Sequence, residues 1–503
     1  MPHMPITNKN ERILCLALLL LFAIPLFLLN IQHGQSLGGD DYAQYIKEAQ
    51  NIASGAPYYQ SNYLFNAYNN CYSPPQYPPG YPLMLAPVVK VWGLAIAPMC
   101  YFNSAIAACL LFCFFIYFRK QMGSIAAMCL AVAITYSGCM INLKHEILSD
   151  AASLLFVMLY LIARDSKTFS WQRIALLSVF AAMAILVRTQ AVLLPAAELI
   201  WLLLTVLKER IKQQRFHLPA IYKSPSLYIV AGCLLLTGIL NRIIFYRPET
   251  AAGFYVDFLK ITLQKGLLTV VRDNINFFVE AIGLFFHYET DNSIRTAMVT
   301  VIQSFGLVCC ILGFVLTVSR RLRTDDIFFV LVCGLMLYYP IHDSRYFLTG
   351  IALVYYYCYV ALRRIVPLVT TIKPQYAAVG LTVLYLMAGG RYLRSTMNSD
   401  KTLVPAQRDE QAFRYIKQHV SDSDLIICAR PRMLTLYTNK RCVIHAWQHP
   451  METNKRVFDS MQAKYLLIVD DIAANYYHAY LNSYEHATDS TLIAAGYMLY
   501  KLR

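Results

Sequence analysis

Long apolar runs recur along this chain, and no other feature limits its fold so tightly. A segment that crosses a bilayer as a helix needs roughly 20 mainly apolar residues. Such runs stand at 13–32, 97–117, 123–142, 147–163, 174–190, 191–207, 226–245, 297–318, 327–340, 346–362 and 376–390. They predict an all-α polytopic membrane domain with about eleven transmembrane helices; the pair 174–207 also reads as one long kinked hairpin. The composition fits, since 57% of the 503 residues are apolar and 15% charged, whereas a soluble domain carries about 25% charged residues.

Lys and Arg set the orientation. They gather in alternate loops: Arg119 and Lys120; Arg164, Lys167 and Arg173; Lys208, Arg210, Lys212, Arg215 and Lys223; Arg320, Arg321 and Arg323; Arg363, Arg364 and Lys373. The opposite short loops hold only Lys144, Arg188 and Arg345. Basic loops stay in the cytoplasm. The N-terminus is therefore expected inside and the C-terminus outside. The net charge of +15 is a topology signal, not a nucleic-acid footprint. The first run has basic residues before it and no small-residue cleavage site after it, as in an uncleaved signal anchor. Most of the 14 cysteines fall inside apolar runs, where Cys behaves as a small hydrophobe. Cys71, Cys428 and Cys442 fall in external segments, and a Cys428–Cys442 disulfide is open to an extracytoplasmic domain.

Three outer segments are long: 33–96, 246–296 and 391–503. In the first, Tyr42, Tyr45, Ile46, Ala49, Ile52 and Ala53 recur at helical spacing, with Gln44, Lys47, Glu48 and Asn51 on the other face. This predicts an amphipathic helix lying in the membrane interface and stopped at Gly55. The Pro-rich SPPQYPPGYP and a second apolar segment, Leu83 to Trp92, complete a shelf of interfacial helices. In the tail, 409–420 reads as a helix. Leu425 to Ala429 and Tyr465 to Val469 read as strands, and 491–502 as a last strand. The chain thus divides into a membrane domain, 1–390, and a small α/β domain, 391–503. No glycine-rich phosphate loop is present.

Chemistry-bearing residues cluster at the outer ends of the apolar runs. Asp40 and Asp41 open the interfacial helix, where either can cap it; two adjacent carboxylates exceed one cap, so a catalytic role stands beside capping. Lys144, His145, Glu146 and Asp150 lie in KHEILSD. Asp150 touches an apolar run, where ionisable groups are expensive and often functional, though a plain helix start also accounts for it. Arg188 in LVRTQ and Arg345 in HDSRYF run against the charge bias. Snorkelling to headgroups explains such arginines, and so does a phosphate clamp; Asp343 offers Arg345 a local ion pair. His145, His342, His445 and His449 are too scattered to predict a metal site.

In this order the segments resemble the C-type (GT-C) glycosyltransferases, above all the bacterial branch of protein O-mannosyltransferases and lipid A aminoarabinose transferases. The resemblance rests on GDDYAQYIKEAQNIASG, with Asp41 four residues before Tyr45, on YPPGYPLMLAP, on SDAASLLF at Asp150, and on LVRTQAVLL and SRYFLTGIAL. It spans residues 10–360. It departs where the aminoarabinose transferases carry an acidic residue and a Lys before the prolines, because Gln76 and Tyr77 stand there. The resemblance implies a bacterial inner-membrane enzyme with its large loop in the periplasm. That enzyme would transfer a sugar from a polyprenyl-phosphate donor to a lipid, glycan or protein acceptor, with no nucleotide sugar and a divalent cation left open. It assigns catalysis to Asp41, with Asp40 and Asp150. It assigns substrate binding to Arg188, Arg345, Tyr346, Glu146, His145, Tyr45, Tyr77 and Tyr81. The rivals are a transporter or flippase, a lipid-linked glycan ligase or polymerase, and a non-catalytic assembly protein. A flippase usually shows inverted repeats and polar groups at mid-membrane, and neither is visible here.

Overall fold

The computed structural model describes residues 9–29, 31–36, 40–64, 66, 77–165, 169–213, 222, 224–244, 264, 266–284, 293–338, 344–397, 403–445, 449–469, 481 and 489–502. Most of the second outer segment, and with it His342, Asp343, Cys71 and Gln76, lies outside them. The architecture is a helical bundle carrying a small sheet domain at its C-terminal end.

Among the described residues five helices are long and apolar enough to cross a membrane: Asn10–Leu28, Ile96–Met122, Thr189–Ile211, Pro225–Arg242 and Arg345–Val369. Ser124–Thr135 and Gly138–His145 make a sixth if taken together across their 54° bend. The chain is a multipass membrane protein, but five or six such helices stand where about eleven were expected. For three of the expected runs the difference is one of helix length, while the runs at 297–318 and 376–390 fall in the helices Ser293–Val318 and Pro374–Met397, of 26 and 24 residues. The runs at 147–163, 174–190 and 327–340 become the helices Asp150–Arg164, Trp171–Val187 and Thr324–Tyr338, of 15, 17 and 15 residues. Each falls short of the roughly 20 residues of a full span. The 174–207 pair resolves into two helices that part at Arg188, whose backbone is extended.

Several charged groups buried among the helices are paired. Glu198 accepts from Tyr160 Oη (2.6 Å), Arg164 Nε (2.6 Å) and Ser226 Oγ (2.6 Å), which ties three helices at one point. Asp325 and Asp326 accept from Tyr117 and Tyr357 (2.5 and 2.6 Å) beside Arg323. A carboxylate left alone in such a place would be costly, so each arrives with its partners.

The first outer segment forms two helices, Asp41–Ser54 and Gly80–Trp92. Gly55 ends the first in the left-handed conformation, φ 72°, and its N–H turns back to Ile52 O, as expected of a glycine stop. Most of the expected polar face does not meet water. Gln44, Glu48 and Asn51 are buried along with Tyr42, Tyr45, Ile46 and Ala49. Asn51 Nδ2 donates to the carbonyls of Tyr58 and Gln60 (3.2 and 2.5 Å), and Gln44 Nε2 to Glu48 (2.9 Å). The chain's own later residues cover that face, which periodicity could not foresee.

The sheet domain supplies the cover. Its strands are β3 (Leu425–Cys428), β4 (Arg441–Val443), β5 (Ala463–Val469), β6 (Asp489–Ala494) and β7 (Tyr497–Lys501), in the order β4-β3-β5-β7-β6. The first three are parallel, and β7 and β6 add antiparallel. The single last strand expected at 491–502 is a hairpin, turned at Gly496, φ 78°. Alternation divides the core. Leu425, Ile427, Val443, Leu466 and Ile468 face helix Met451–Ser460. Ile426, Cys428, Cys442, Leu467 and Val469 join the main core through helices Gln407–His419 and Pro431–Thr438. Cys428 and Cys442 are buried free thiols on adjacent strands, and burial pushes the Cys442 thiol well up. A two-stranded pairing, β1 (Gln35–Ser36) with β2 (Leu403–Val404), clamps the domain to the exit of the first helix. Tyr63 makes a single parallel bridge to Cys442 of β4.

Candidate active site

Two acidic centres and the groups between them meet where the helices of 41–92, the bundle-helix ends at Asp150 and Arg188, and the sheet domain converge. At the first centre the adjacent carboxylates have different partners. Asp40 stands before helix Asp41–Ser54 but makes no cap bond to it. Its carboxylate accepts instead from the backbone N–H groups of Met433 (2.8 Å) and Arg432 (3.3 Å). Those are the first free donors of helix Pro431–Thr438, whose own preceding residue, Arg430, offers no side-chain cap. Capping is thus the role Asp40 plays, on a helix nearly four hundred residues away in sequence. Burial pushes its carboxyl up to about 6, against the opposing pull of Arg432, Arg430 and the Met433 N–H.

Asp41 is held from the side. Its Oδ1 accepts from Tyr77 Oη (2.6 Å) and from Arg432 Nη1 (2.9 Å), and Arg432 Nη1 also donates to Tyr77 Oη (3.0 Å). The Arg432 side chain is 4% exposed and that of Asp41 35%, so the cation is sealed beneath a carboxylate that opens outward. The guanidinium lies 5.2 Å over the Tyr77 ring.

At the second centre Asp150 begins helix Asp150–Arg164 and is buried. Arg188, in the extended break after helix Trp171–Val187, pairs with it at 2.8 Å. Arg188 also lies 5.1 Å over the Tyr346 ring, and the like charge of Arg345 reaches it. The two centres are linked. Tyr77 stacks on Tyr45 (4.7 Å), Tyr45 Oη shares a hydrogen bond with Ser149 Oγ (2.9 Å), and Arg188 Nη1 donates to that same Oγ (3.4 Å). Tyr81 meets Tyr45 edge-on at 5.1 Å and donates to Asn103 Oδ1 (2.9 Å).

The approach of these elements depends on Gly80. A Cβ there would sit 2.6 Å from the backbone of Leu186, so helix Gly80–Trp92 rests directly on the turn that leads to Arg188.

Of the residues singled out in the sequence, the structure gathers Asp40, Asp41, Tyr45, Tyr77, Tyr81, Asp150, Arg188, Arg345 and Tyr346. His145 and Glu146 contribute through their backbone: the His145 carbonyl accepts from Gln35 Nε2 (2.9 Å) and the Glu146 carbonyl from Asn103 Nδ2 (2.7 Å). Lys144 is buried and donates to the Leu29 carbonyl (2.6 Å). His445 is buried inside the sheet domain. Sequence reading missed Ser149, which stood in a quoted motif, and Arg432, which carries no local signal at all. Among the described residues no three His, Cys, Asp or Glu side chains converge in a metal-ligating group.

The sequence profile of the dolichyl-phosphate-mannose-protein mannosyltransferase family matches residues 76–231, less than a third of the chain. No curated protein matches it in sequence. Solved structures are similar throughout. The oligosaccharyltransferase AglB of Archaeoglobus fulgidus, in complex with an inhibitory peptide and a dolichol-phosphate, has a TM-score of 0.58 and 10% identity. That match covers 94% of this chain and 71% of AglB. ArnT of Cupriavidus metallidurans, bound to undecaprenyl phosphate, has a TM-score of 0.54 and 12% identity, with 97% of each chain covered. Helical bundle, acidic-headed segment after the first helix and C-terminal sheet domain together make this chain a protein of the GT-C glycosyltransferase fold.

Proposed function

We propose that this protein transfers a sugar from a polyprenyl-phosphate carrier to an acceptor at the outer face of a bacterial inner membrane. The observation that carries the reading is the linked pair of centres: a half-exposed carboxylate, Asp41, joined through Tyr77, Tyr45 and Ser149 to the paired cation Arg188. ArnT and AglB, which share the fold, were solved with undecaprenyl phosphate and dolichol-phosphate, and the carrier is proposed here by that analogy.

Two roles follow from the chemistry. The acceptor hydroxyl oxygen bonds to the anomeric carbon while the bond from that carbon to the phosphate oxygen breaks. The bonding electrons leave with the polyprenyl phosphate, and Arg188, with Arg345 beside it, offsets the charge that develops there. Asp150 fixes the direction of the Arg188 guanidinium. The hydroxyl proton passes to Asp41 as general base. One displacement inverts the anomeric centre. The Lys and Arg bias of the loops supports a cytoplasmic N-terminus and a sheet domain, 391–503, outside, and in that orientation the bundle, 1–390, presents the site to the periplasmic face.

The test is direct. Purified protein in lipid nanodiscs is given polyprenyl-phosphate mannose, glucose or arabinose, each radiolabelled, with an envelope extract as acceptor. Transfer from at least one lipid donor is expected, and none from the matching nucleotide sugars. Transfer from a nucleotide sugar in the absence of any polyprenyl phosphate would sink the reading.

A further inference from the structure

We infer that Arg432, carried by the C-terminal sheet domain, is a positioning residue for the catalytic carboxylate, so that the active site is complete only with that domain docked. The inference rests on the reading of Asp41 as general base. Three atoms form a closed triangle: Asp41 Oδ1, Tyr77 Oη and Arg432 Nη1, with sides of 2.6, 3.0 and 2.9 Å. Both donors fall on the same carboxylate oxygen. The other oxygen is left as the one that can take the acceptor proton, and rotation of the carboxylate about its Cβ–Cγ bond is blocked.

The docking that brings Arg432 there is specific to one register. Asp40 caps the N–H groups of Arg432 and Met433, so the first carboxylate of the pair seats the helix that delivers the cation to the second. Lys47 Nζ donates to Asn439 Oδ1 (3.1 Å) at the far end of the same helix. Pro431 at its first position lacks an N–H, so the two donors that Asp40 receives are the first two it has. The adjacent carboxylates divide the work: Asp40 docks and Asp41 reacts. A surface ion pair would contribute little. Arg432 is sealed from solvent and its charge is satisfied by Asp41 and Tyr77, which makes it a fixed feature of the site. It is separated from Arg188 by Tyr77, Tyr45 and Ser149, so it serves the acceptor side and not the donor phosphate.

The experiment uses the full chain in nanodiscs with whichever polyprenyl-phosphate sugar it turns over, and undecaprenyl phosphate alone as the binding probe. Arg432→Ala is expected to lower kcat about 10²-fold, the effect of a misplaced catalytic group. The donor KM and undecaprenyl phosphate affinity should stay within about twofold of wild type. Arg432→Lys keeps the charge without the planar fork and should recover only part of kcat. Added methylguanidinium should restore turnover to Arg432→Ala, which a merely structural role would not allow. If Arg432→Ala lowers the melting temperature, Arg432→Lys at native stability carries the test. Near-normal kcat in Arg432→Ala while Asp41→Asn is inactive would overturn the inference and leave the base in place. A matching loss of undecaprenyl phosphate affinity would also overturn it, making Arg432 a phosphate ligand. Full turnover in Asp41→Asn would instead remove the base assignment itself, and this inference with it.

Discussion

The pair Asp40–Asp41 shows how much a side chain's role depends on what arrives to meet it. Both residues are carboxylates within one turn, so their charge alone does not rank them. In the fold, Asp40 is consumed by two backbone N–H groups and Asp41 by side-chain donors on one oxygen only. Asp41→Asn should therefore lower turnover by about 10²–10⁴-fold, the usual worth of a general base, with the melting temperature close to wild type. Asp40→Asn should mainly lower the melting temperature, since its Nδ2 must face an N–H it used to accept. Equal losses of turnover at near-native stability in both variants would contradict this division. Asp40 and the buried His445 predict a pH effect. Burial holds the His445 imidazole down at about 3, so the folded protein keeps it neutral while the unfolded chain takes a proton near pH 6.5. Its contribution is present at neutral pH and lost on acidification, by about 2 kcal/mol between pH 7 and 5. Asp40 works in the opposite direction. Its raised pKa, about 6, lets the folded state bind a proton first, so it adds about 1 kcal/mol over the same interval. Compared with wild type, His445→Gln should gain stability on going from pH 7 to 5, and Asp40→Asn should lose it. Chemical denaturation at the two pH values reads both signs.

At the scale of elements, the helix Asp41–Ser54 is the most instructive. Its apolar positions were visible as a stripe in the sequence and are buried as that stripe requires. Its polar positions read as a solvated face, yet Gln44, Glu48 and Asn51 are buried: Gln44 bonds Glu48, Asn51 bonds the carbonyls of residues 58 and 60, and helix Pro431–Thr438, from a domain that begins some three hundred and fifty residues later, packs on the helix. Periodicity measures one helix and contains nothing about a second cover. The contact between helix Gly80–Trp92 and the end of helix Trp171–Val187 is of the same kind. Gly80 was part of a quoted Pro-rich motif, but only packing shows that no Cβ fits there. Gly80→Ala must push two backbones apart, and overpacking of that sort costs about 1–3 kcal/mol. The displacement falls on Arg188, so a drop in undecaprenyl phosphate affinity should accompany the lower melting temperature. A Gly80→Ala protein with native stability and affinity would show that this approach is looser than drawn.

For the whole molecule the Lys and Arg bias sets a testable orientation. The Lys and Arg bias predicts 33–96 and 391–503 outside and 208–225 inside. A single Cys at Gln462 should react with a membrane-impermeant maleimide in intact cells. A Cys at Lys208 should react only after the membrane is opened, and the reverse pattern would invert the topology. The bundle itself is braced by buried clusters such as Tyr160–Arg164–Glu198–Ser226, which bring helices from distant parts of the chain to one point. The short helices Asp150–Arg164 and Trp171–Val187 end at the acidic and basic members of the second centre, and that is where length was given up.

Membrane residence, the acidic-headed first outer segment, the stop at Gly55 and the α/β character of the tail were all determined by local sequence. They rest on hydrophobic run length, on periods of 3.6 and 2 residues, and on glycine's access to positive φ. These are properties of neighbours along the chain. The pairing of Asp150 with Arg188, the bridge through Tyr77, Tyr45 and Ser149, and the arrival of Arg432 at Asp41 were decided only by tertiary structure. Each joins residues whose sequence separation runs from tens to nearly four hundred positions. A lone Arg in PRML has the same local surroundings whether it meets water or a carboxylate, and the strength of its bond depends on a burial that only the folded chain creates.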